Sequence, residues 1–259
     1  LVKEKFNKKK YDKFFFLSLF FFMFTVIFFY RIAEHGTDRS AQILIFLLII
    51  ELLIIINFDK GIKERIIKIL IILGLVISLK SFYVLYLALS FPVFYYFIID
   101  KKLTNILLIF KSYYFYLFLL LLGNISFVNF ANSGCLIYPV SITCFDYFSW
   151  SIPLQEVSAM NDWYEQWSKA GANPNFRVEN PQEYIQHFNW VNNWFHEYFF
   201  TKVSDFIFGI LFLTIIFLLI FRSKEKNSLS NYKGEKFIYI ILLILLFEWF
   251  YNHPSLRYG

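Results

Sequence analysis

Two stretches of sequence decide the fold: KFFFLSLFFFMFTVIFFY at residues 13–30 and ILIFLLIIELLIIINF at residues 43–58. Each is close in length to the roughly 20 apolar residues that a helix needs to cross the hydrocarbon core of a bilayer. Neither stretch alternates apolar and polar residues as a helix with one wet face would, so both are apolar all round. They predict membrane-spanning helices.

Similar apolar runs recur along the rest of the chain, separated by short polar loops. The hydrophobic fraction of 58% and the mean hydropathy of +0.54 exceed what a soluble domain carries. The sequence therefore predicts an all-α fold, a polytopic transmembrane helix bundle. We predict about seven spans, within residues 14–30, 43–58, 66–77, 82–99, 103–122, 203–221 and 238–249.

The distribution of basic residues predicts the orientation. Most of the 25 lysines and arginines fall before the first span or in alternate loops, which the positive-inside rule assigns to the cytoplasm. We therefore expect a multi-pass protein of the bacterial inner membrane with a cytoplasmic N-terminus. The net charge of +6 is explained by these loops, so no nucleic-acid partner is predicted and the lipid bilayer is the expected partner.

The chain divides into three segments by composition. Residues 1–122 hold five spans and a short outer loop at residues 31–42. Residues 123–202 form a long polar stretch, which we expect to be a large helical extracytoplasmic loop, and residues 203–259 hold the last two spans. Because the chain begins with Leu1 and stops just after a span, we expect a fragment of a longer protein.

The long loop contains the only two cysteines, Cys135 and Cys144. An extracytoplasmic location permits oxidation, so the pair predicts a disulfide, with two free thiols as the alternative. Downstream, Ser151 as a cap and Gly171 as an end predict one helix. Asn180 followed three residues later by a glutamate predicts the start of a second, amphipathic helix, which we expect to continue along the membrane surface into the sixth span.

Tryptophans are concentrated in the same loop. They fit an aromatic belt at the membrane interface, or they act as stacking platforms for sugar rings beside neighbouring Asn and Gln side chains. The residues that we propose as sugar contacts on the second interpretation are Trp150, Trp163, Trp167 and Trp190.

The short first outer loop is rich in ionisable residues. It contains Glu34, His35, Asp38 and Arg39, and a carboxylate at the membrane surface can act as a general base toward a hydroxyl nucleophile. A simple solvated loop is the alternative.

Three further groups lie near the predicted outer ends of spans. Lys80, His253 and Arg257 are placed to hold a lipid-linked phosphate, or they are ordinary interfacial anchors. Glu51 lies within the second span, where an ionised carboxylate costs roughly 2.5–3.5 kcal/mol, so we expect it to face the bundle and to have a partner or a polar cavity.

The motifs NSGCLIYPVSITC (residues 132–144) and HPSLRYG (residues 253–259), with the Trp-rich helix between them, resemble a family of bacterial polytopic membrane proteins of surface-polysaccharide loci. That family is similar to GT-C-type glycosyltransferases, which use polyprenyl-phosphate sugar donors. The resemblance implies a catalytic carboxylate in the first outer loop, which is Asp38 or Glu34 here. The loop is shorter than in better-known members, which often carry paired acids on a helix.

These observations lead to a membrane glycosyltransferase that moves a sugar from a polyprenyl-phosphate donor to a glycan or lipid acceptor on the outer face. Asp38 or Glu34 acts as base, and Lys80, Arg39 and Arg257 hold the donor phosphate. No cofactor and no metal ligand set is predicted, and a need for a divalent metal stays open. One alternative is an O-antigen-type polymerase or ligase, and another is a non-enzymatic carrier or flippase. The polymerase or ligase would rely on Arg177, His187 and His196.

Overall fold

The computed structural model describes residues 13–29, 36–57, 62–99, 107, 109–171, 178, 180–220 and 233–257. Within these residues the fold is all-α, as predicted, with two longer 3₁₀ and π segments and no β-strand. The helices of this described part are α1 (Lys13–Phe28), α2 (Asp38–Asn57), α3 (Ile62–Leu79), α4 (Phe91–Ile99), α5 (Tyr113–Ser133), α6 (Leu154–Lys169), α7 (Pro181–Ile185), α8 (Val191–Trp194), α9 (Ser204–Ile220) and α10 (Lys233–Asn252).

Three helical stretches of the described residues are long and apolar enough to cross a membrane. They are Asp38–Asn57, Tyr113–Ser133 and the continuous run Val191–Leu219. Two more, Phe14–Phe28 and Ser81–Tyr95, are apolar but shorter. This composition indicates association with a membrane, and the count of seven spans stays a prediction.

The chain forms two compact units, which we describe separately. The first unit comprises residues 1–120 and 209–242, and the second comprises residues 121–208 and 243–259.

In the first unit, α2 and α3 are packed against each other. Leu48, Leu52 and Ile55 recur at helical spacing on α2 and are fully buried. Leu73 and Val76 form the matching buried stripe on α3. These side chains make α2 the central helix of this unit.

The phenylalanines of α1 pack against α2. The ring of Phe21 stacks on that of Phe46, with centroids 4.5 Å apart, and Phe24 meets the same ring edge-on at 5.3 Å. Glu51 of α2 accepts a hydrogen bond from Arg65 Nη1 of α3 at 2.6 Å. The prediction that the Glu51 carboxylate, which lies within a predicted span, has a partner is confirmed.

Helix α5 differs from the predicted fifth span. It begins at Tyr113 and continues to Ser133, so the helix runs eleven residues beyond the predicted end of that span at residue 122. Gly134 then ends the helix with a left-handed φ of +79°. A Cβ at this position would lie 2.6 Å from Ser151 Cβ and 2.8 Å from the Phe145 carbonyl oxygen, so only glycine fits there.

The first helix of the polar stretch, α6, begins later than predicted. Ser151 does not cap it, because its hydroxyl donates to the Phe148 carbonyl and Pro153 occupies the cap position. Its predicted end is correct, since Gly171 follows Ala170 with a left-handed φ of +77°.

The second helix starts as predicted but does not run on unbroken. Asn180 Oδ1 accepts a hydrogen bond from the Glu183 backbone N–H at 3.4 Å. The helix stops after Ile185, and His187 adopts a left-handed φ of +51°. It resumes at Val191 and passes through a π segment, Phe195–Val203, into α9. The expectation of one continuous surface helix is therefore wrong.

The break is explained by the burial of two indole rings. Trp190 is fully buried and Trp194 nearly so. Across the turn at His187, Trp190 Nε1 donates to the His187 carbonyl at 3.0 Å. Asn189 Nδ2 donates to the Glu183 carbonyl at 2.9 Å, which satisfies the end of α7.

Candidate functional site

Asp38, an acid of the loop predicted to lie on the outer side, is the first residue of α2. Its carboxylate is only 2% exposed and lies 2.5 Å from the Lys80 Nζ. Because α2 and α3 are packed side by side, the start of α2 meets Lys80, which follows the last residue of α3. Two residues 42 positions apart, which the sequence predicted for one site, are thus in direct contact.

Arg39 extends the same cluster. Its Nη1 donates to Gln42 Oε1 at 2.9 Å, and its guanidinium carbon lies 4.6 Å from the centre of the Phe29 ring. The buried Tyr83 faces both Asp38 and Gln42. The cluster therefore contains one carboxylate (Asp38), two cations (Arg39 and Lys80) and one phenol (Tyr83). The ring of Phe29 is its apolar neighbour.

The chemistry of this cluster follows from its charge balance. Two cations and one carboxylate leave a net positive charge, which suits a phosphate ester. The Lys80 side chain is 27% exposed, and its ammonium contacts the buried acid. A carboxylate is a hydrogen-bond acceptor and can serve as a general base toward a hydroxyl.

Glu34 and His35, the other two site candidates of the predicted outer loop, lie outside the described residues. Their assignments as alternative base and substrate contact stay predictions.

The predicted sugar contacts differ in exposure. Trp163 is 53% exposed and Trp150 is 46% exposed, and the Trp150 indole stacks on Phe148 with centroids 5.2 Å apart. Trp167 is half-buried. Trp190 is fully buried against Trp194 and Phe250, so in this structure its ring offers no face to a sugar. Of the four predicted sugar contacts, Trp150 and Trp163 are therefore the two with exposed rings.

The C-terminal motif is held by the tryptophans of the second unit. Trp194 Nε1 donates to the Pro254 carbonyl at 2.7 Å, and Trp249 Nε1 donates to the Ser255 carbonyl at 2.8 Å. Tyr198 accepts from the Leu256 backbone N–H at 2.9 Å. Sequence reasoning missed this structural role of the indoles.

Two predicted phosphate contacts lie in that anchored turn. His253 is half-buried there, and its backbone N–H continues α10 by donating to the Trp249 carbonyl. Arg257 is exposed. Both belong to the second unit, whereas Asp38, Arg39 and Lys80 belong to the first.

Lys169, at the end of α6, is a buried cation that the sequence reading did not single out. Its ammonium is paired with Glu165 and donates to the Ile185 carbonyl at 2.7 Å. It also lies 5.3 Å from the Trp190 ring centre and 5.2 Å from that of Tyr251. Burial lowers the pKa of Lys169, and the hydrogen bond and charge of Glu165 offset part of that effect. The Glu–Lys spacing of four residues was the available signal.

The predicted disulfide is confirmed. Cys135 and Cys144 are bonded, and a single turn of 3₁₀ helix and a cis Tyr138–Pro139 peptide lie within the closed loop. In the described part of the chain, no three His, Cys, Asp or Glu side chains converge in a way that could hold a metal ion.

Comparison with known proteins gives a family. The model of a domain of unknown function, DUF8201, matches residues 1–259. The chain belongs to the DUF8201 family. Searches of curated proteins and of solved structures found no match. For this DUF8201 protein, function therefore has to be argued from the site itself.

Proposed function

We propose that this chain is a membrane glycosyltransferase of the GT-C type, active on the outer face of the bacterial inner membrane with its N-terminus in the cytoplasm. The observation that carries the proposal is the contact of the buried Asp38 carboxylate with Lys80, beside Arg39 and at one end of a helix long enough to cross a bilayer. An acid and two cations are the groups that sugar transfer from a lipid phosphate needs.

The proposed reaction uses each group once. Asp38 accepts the proton of the acceptor hydroxyl as its oxygen attacks the anomeric carbon of the donor sugar. The bond between that carbon and the phosphate oxygen breaks, and polyprenyl phosphate leaves with the bonding electrons. Lys80 and Arg39 stabilise the charge that develops on the phosphate. In the second unit, and independently of that cluster, the exposed rings of Trp150 and Trp163 offer apolar faces for glycan contact.

The test compares two aspartates in the source organism. A strain lacking the gene is complemented with wild type, Asp38→Asn or Asp205→Asn, and the surface glycans are quantified. Asp205 is an exposed acid in the first turn of α9, which makes it the matched control. Loss of a general base lowers the rate about 10²–10⁴-fold, so Asp38→Asn is expected to abolish glycan production while Asp205→Asn restores it.

Two outcomes contradict the proposal. If deletion leaves every surface glycan unchanged, the chain is not a glycan-assembly enzyme. If deletion has an effect that Asp38→Asn fully complements, Asp38 is not the base, and Glu34→Gln becomes the variant to measure.

A glycan polymerase or ligase is the second candidate, because His187 is an exposed residue with a left-handed backbone. Such backbone conformations recur at functional sites. His196 is also exposed, and Arg177 lies outside the described residues. On this alternative, His187→Ala or His196→Ala abolishes glycan production and Asp38→Asn does not.

A further inference from the structure

A groove with one charged end lies between α1 and α2 in the first unit. Its volume is about 510 Å³, and one residue of α3 completes its wall. The residues that line it are Ser18, Phe21, Phe22, Thr25, Ile43, Phe46, Leu47, Ile50, Glu51 and Ile72. The size falls in the range of roughly 300–1,000 Å³ that small-molecule sites occupy.

The wall of the groove is apolar apart from Glu51. The two hydroxyls that line it are turned to their own helix, since Ser18 donates to the Phe14 carbonyl and Thr25 donates to the Phe21 carbonyl. The rim is open, because Phe22 is 60% exposed and Leu47 is 47% exposed. A hydrocarbon chain can therefore enter from the side.

The charged end is built from three residues. Glu51 is bound by Arg65 at 2.6 Å and lies 3.7 Å from the Lys68 ammonium. Two cations and one carboxylate give this cluster a net positive charge, and the Lys68 side chain is 58% exposed. An apolar groove next to a cluster of net positive charge matches an amphiphile with an anionic head group.

This charged end is distinct from the Asp38–Lys80 cluster. Asp38 is the first residue of α2 and Glu51 lies thirteen residues further along it, which is about 20 Å at 1.5 Å per residue. The two clusters therefore lie toward opposite ends of one candidate span.

We propose that the groove binds one anionic phospholipid of the bilayer, with an acyl chain between α1 and α2 and the head group on Lys68. This site is separate from the proposed sugar-donor site. It stabilises the packing of α1 on α2 in the membrane.

The test is native mass spectrometry of the purified full chain, released from mixed micelles with equimolar phosphatidylglycerol and phosphatidylcholine of the same chain length. The wild type is expected to retain phosphatidylglycerol in preference. Lys68→Gln is expected to lower that preference about fivefold, which corresponds to about 1 kcal/mol per basic residue. Lys68→Arg is expected to keep it, and so is Lys111→Gln, the matched change at another exposed lysine.

A second variant tests the groove itself. Thr25→Phe fills it and is expected to reduce retention of both lipids. The proposal is overturned if the wild type retains the two lipids equally, if Lys68→Gln and Lys111→Gln have the same effect, or if Thr25→Phe retains both lipids at the wild-type level. Lys68 is exposed, so Lys68→Gln folds and decides the question even if Thr25→Phe does not.

Discussion

At the scale of single residues, the burial of Lys169 links three parts of the second unit. Its ammonium binds Glu165 within α6, the Ile185 carbonyl at the end of α7, and the ring faces of Trp190 and Tyr251. A buried charge is stable only while its partners remain, so these contacts fix the relative positions of the segments that provide them.

We expect Lys169→Met to lower the free energy of unfolding by about 3–5 kcal/mol, because it leaves Glu165 as an uncompensated, mostly buried charge. The double variant Lys169→Met with Glu165→Leu is expected to recover most of the loss. Thermal unfolding in detergent, followed by tryptophan fluorescence, measures both. Lys202→Met, at an exposed lysine, is the matched control and should change little. A double variant as unstable as the single one contradicts the explanation.

The contribution of Lys169 to the free energy of unfolding depends on pH, and the sign of this dependence can be predicted. Since the pKa of Lys169 is lowered in the folded protein, the unfolded chain binds more protons between that value and about 10.4. The stability of the wild type relative to the double variant should therefore increase as the pH rises through this window. A difference that is flat or falls with pH contradicts the assignment.

Substitutions of His187 distinguish the effect of its left-handed backbone on stability from the effect of its imidazole side chain. A left-handed backbone costs a non-glycine residue about 1–2 kcal/mol, so His187→Gly should raise the free energy of unfolding by up to about 1 kcal/mol, while His187→Ala leaves it nearly unchanged. Thermal unfolding separates the two variants. If glycine destabilises the protein more than alanine does, the imidazole makes a contact that the backbone argument omits.

At the scale of elements, the second unit is organised around the ends of helices. Helix α5 stops at Gly134, and the disulfide closes the loop that follows immediately. Backbone hydrogen bonds join the loop to itself, from Leu136 N–H to the Thr143 carbonyl and from Phe145 N–H to the Gly134 carbonyl. The loop is therefore a compact cap on the end of α5.

Removal of the disulfide should cost about 2.5–3 kcal/mol, the chain-entropy value for a loop of about ten residues. The variant is Cys135→Ala with Cys144→Ala, since alanine avoids the burial of a hydroxyl at position 135. Thermal unfolding with and without reductant measures the effect. Reductant should destabilise the wild type and leave the variant unchanged, and an equal response of both would contradict the prediction.

At the scale of the whole molecule, the exterior is apolar over much of its helical surface. Candidate span Tyr113–Ser133 has only 6% of its most apolar window buried within the protein, and Val191–Leu219 has 11%. A surface of this kind is typical of a protein that associates with a membrane. In contrast, Asp38–Asn57 is 56% buried, which agrees with its central position in the first unit.

Topology is the prediction that belongs to this scale. From the distribution of basic residues, alkaline phosphatase fused after Trp150 should be active, because that position is expected outside the cytoplasm, and green fluorescent protein fused after residue 228 should fluoresce. As controls, the two reporters are exchanged. Green fluorescent protein after Trp150 should not fluoresce, and alkaline phosphatase after residue 228 should be inactive. The opposite pattern would reverse the orientation and place Asp38 on the cytoplasmic side.

The sequence by itself determined the helical class, the approximate positions of most apolar helices that the structure describes, the disulfide and the caps at Asn180 and Gly171. These features depend on local composition and on residues close together in the chain, which is why they can be predicted. The sequence also indicated Asp38 and Lys80 as members of one site, because both fall at the same predicted side of the membrane.

Only the tertiary structure decided the rest. The contact of Asp38 with Lys80 depends on how α2 packs on α3, and the burial of Trp190 and Lys169 depends on segments far away in sequence. An apolar stretch has the same local pattern whether it faces lipid or protein, so its composition cannot show which side chains are covered. Tertiary packing makes Trp190 a core residue, where the sequence predicted a sugar contact. It also makes Lys169 a buried charge.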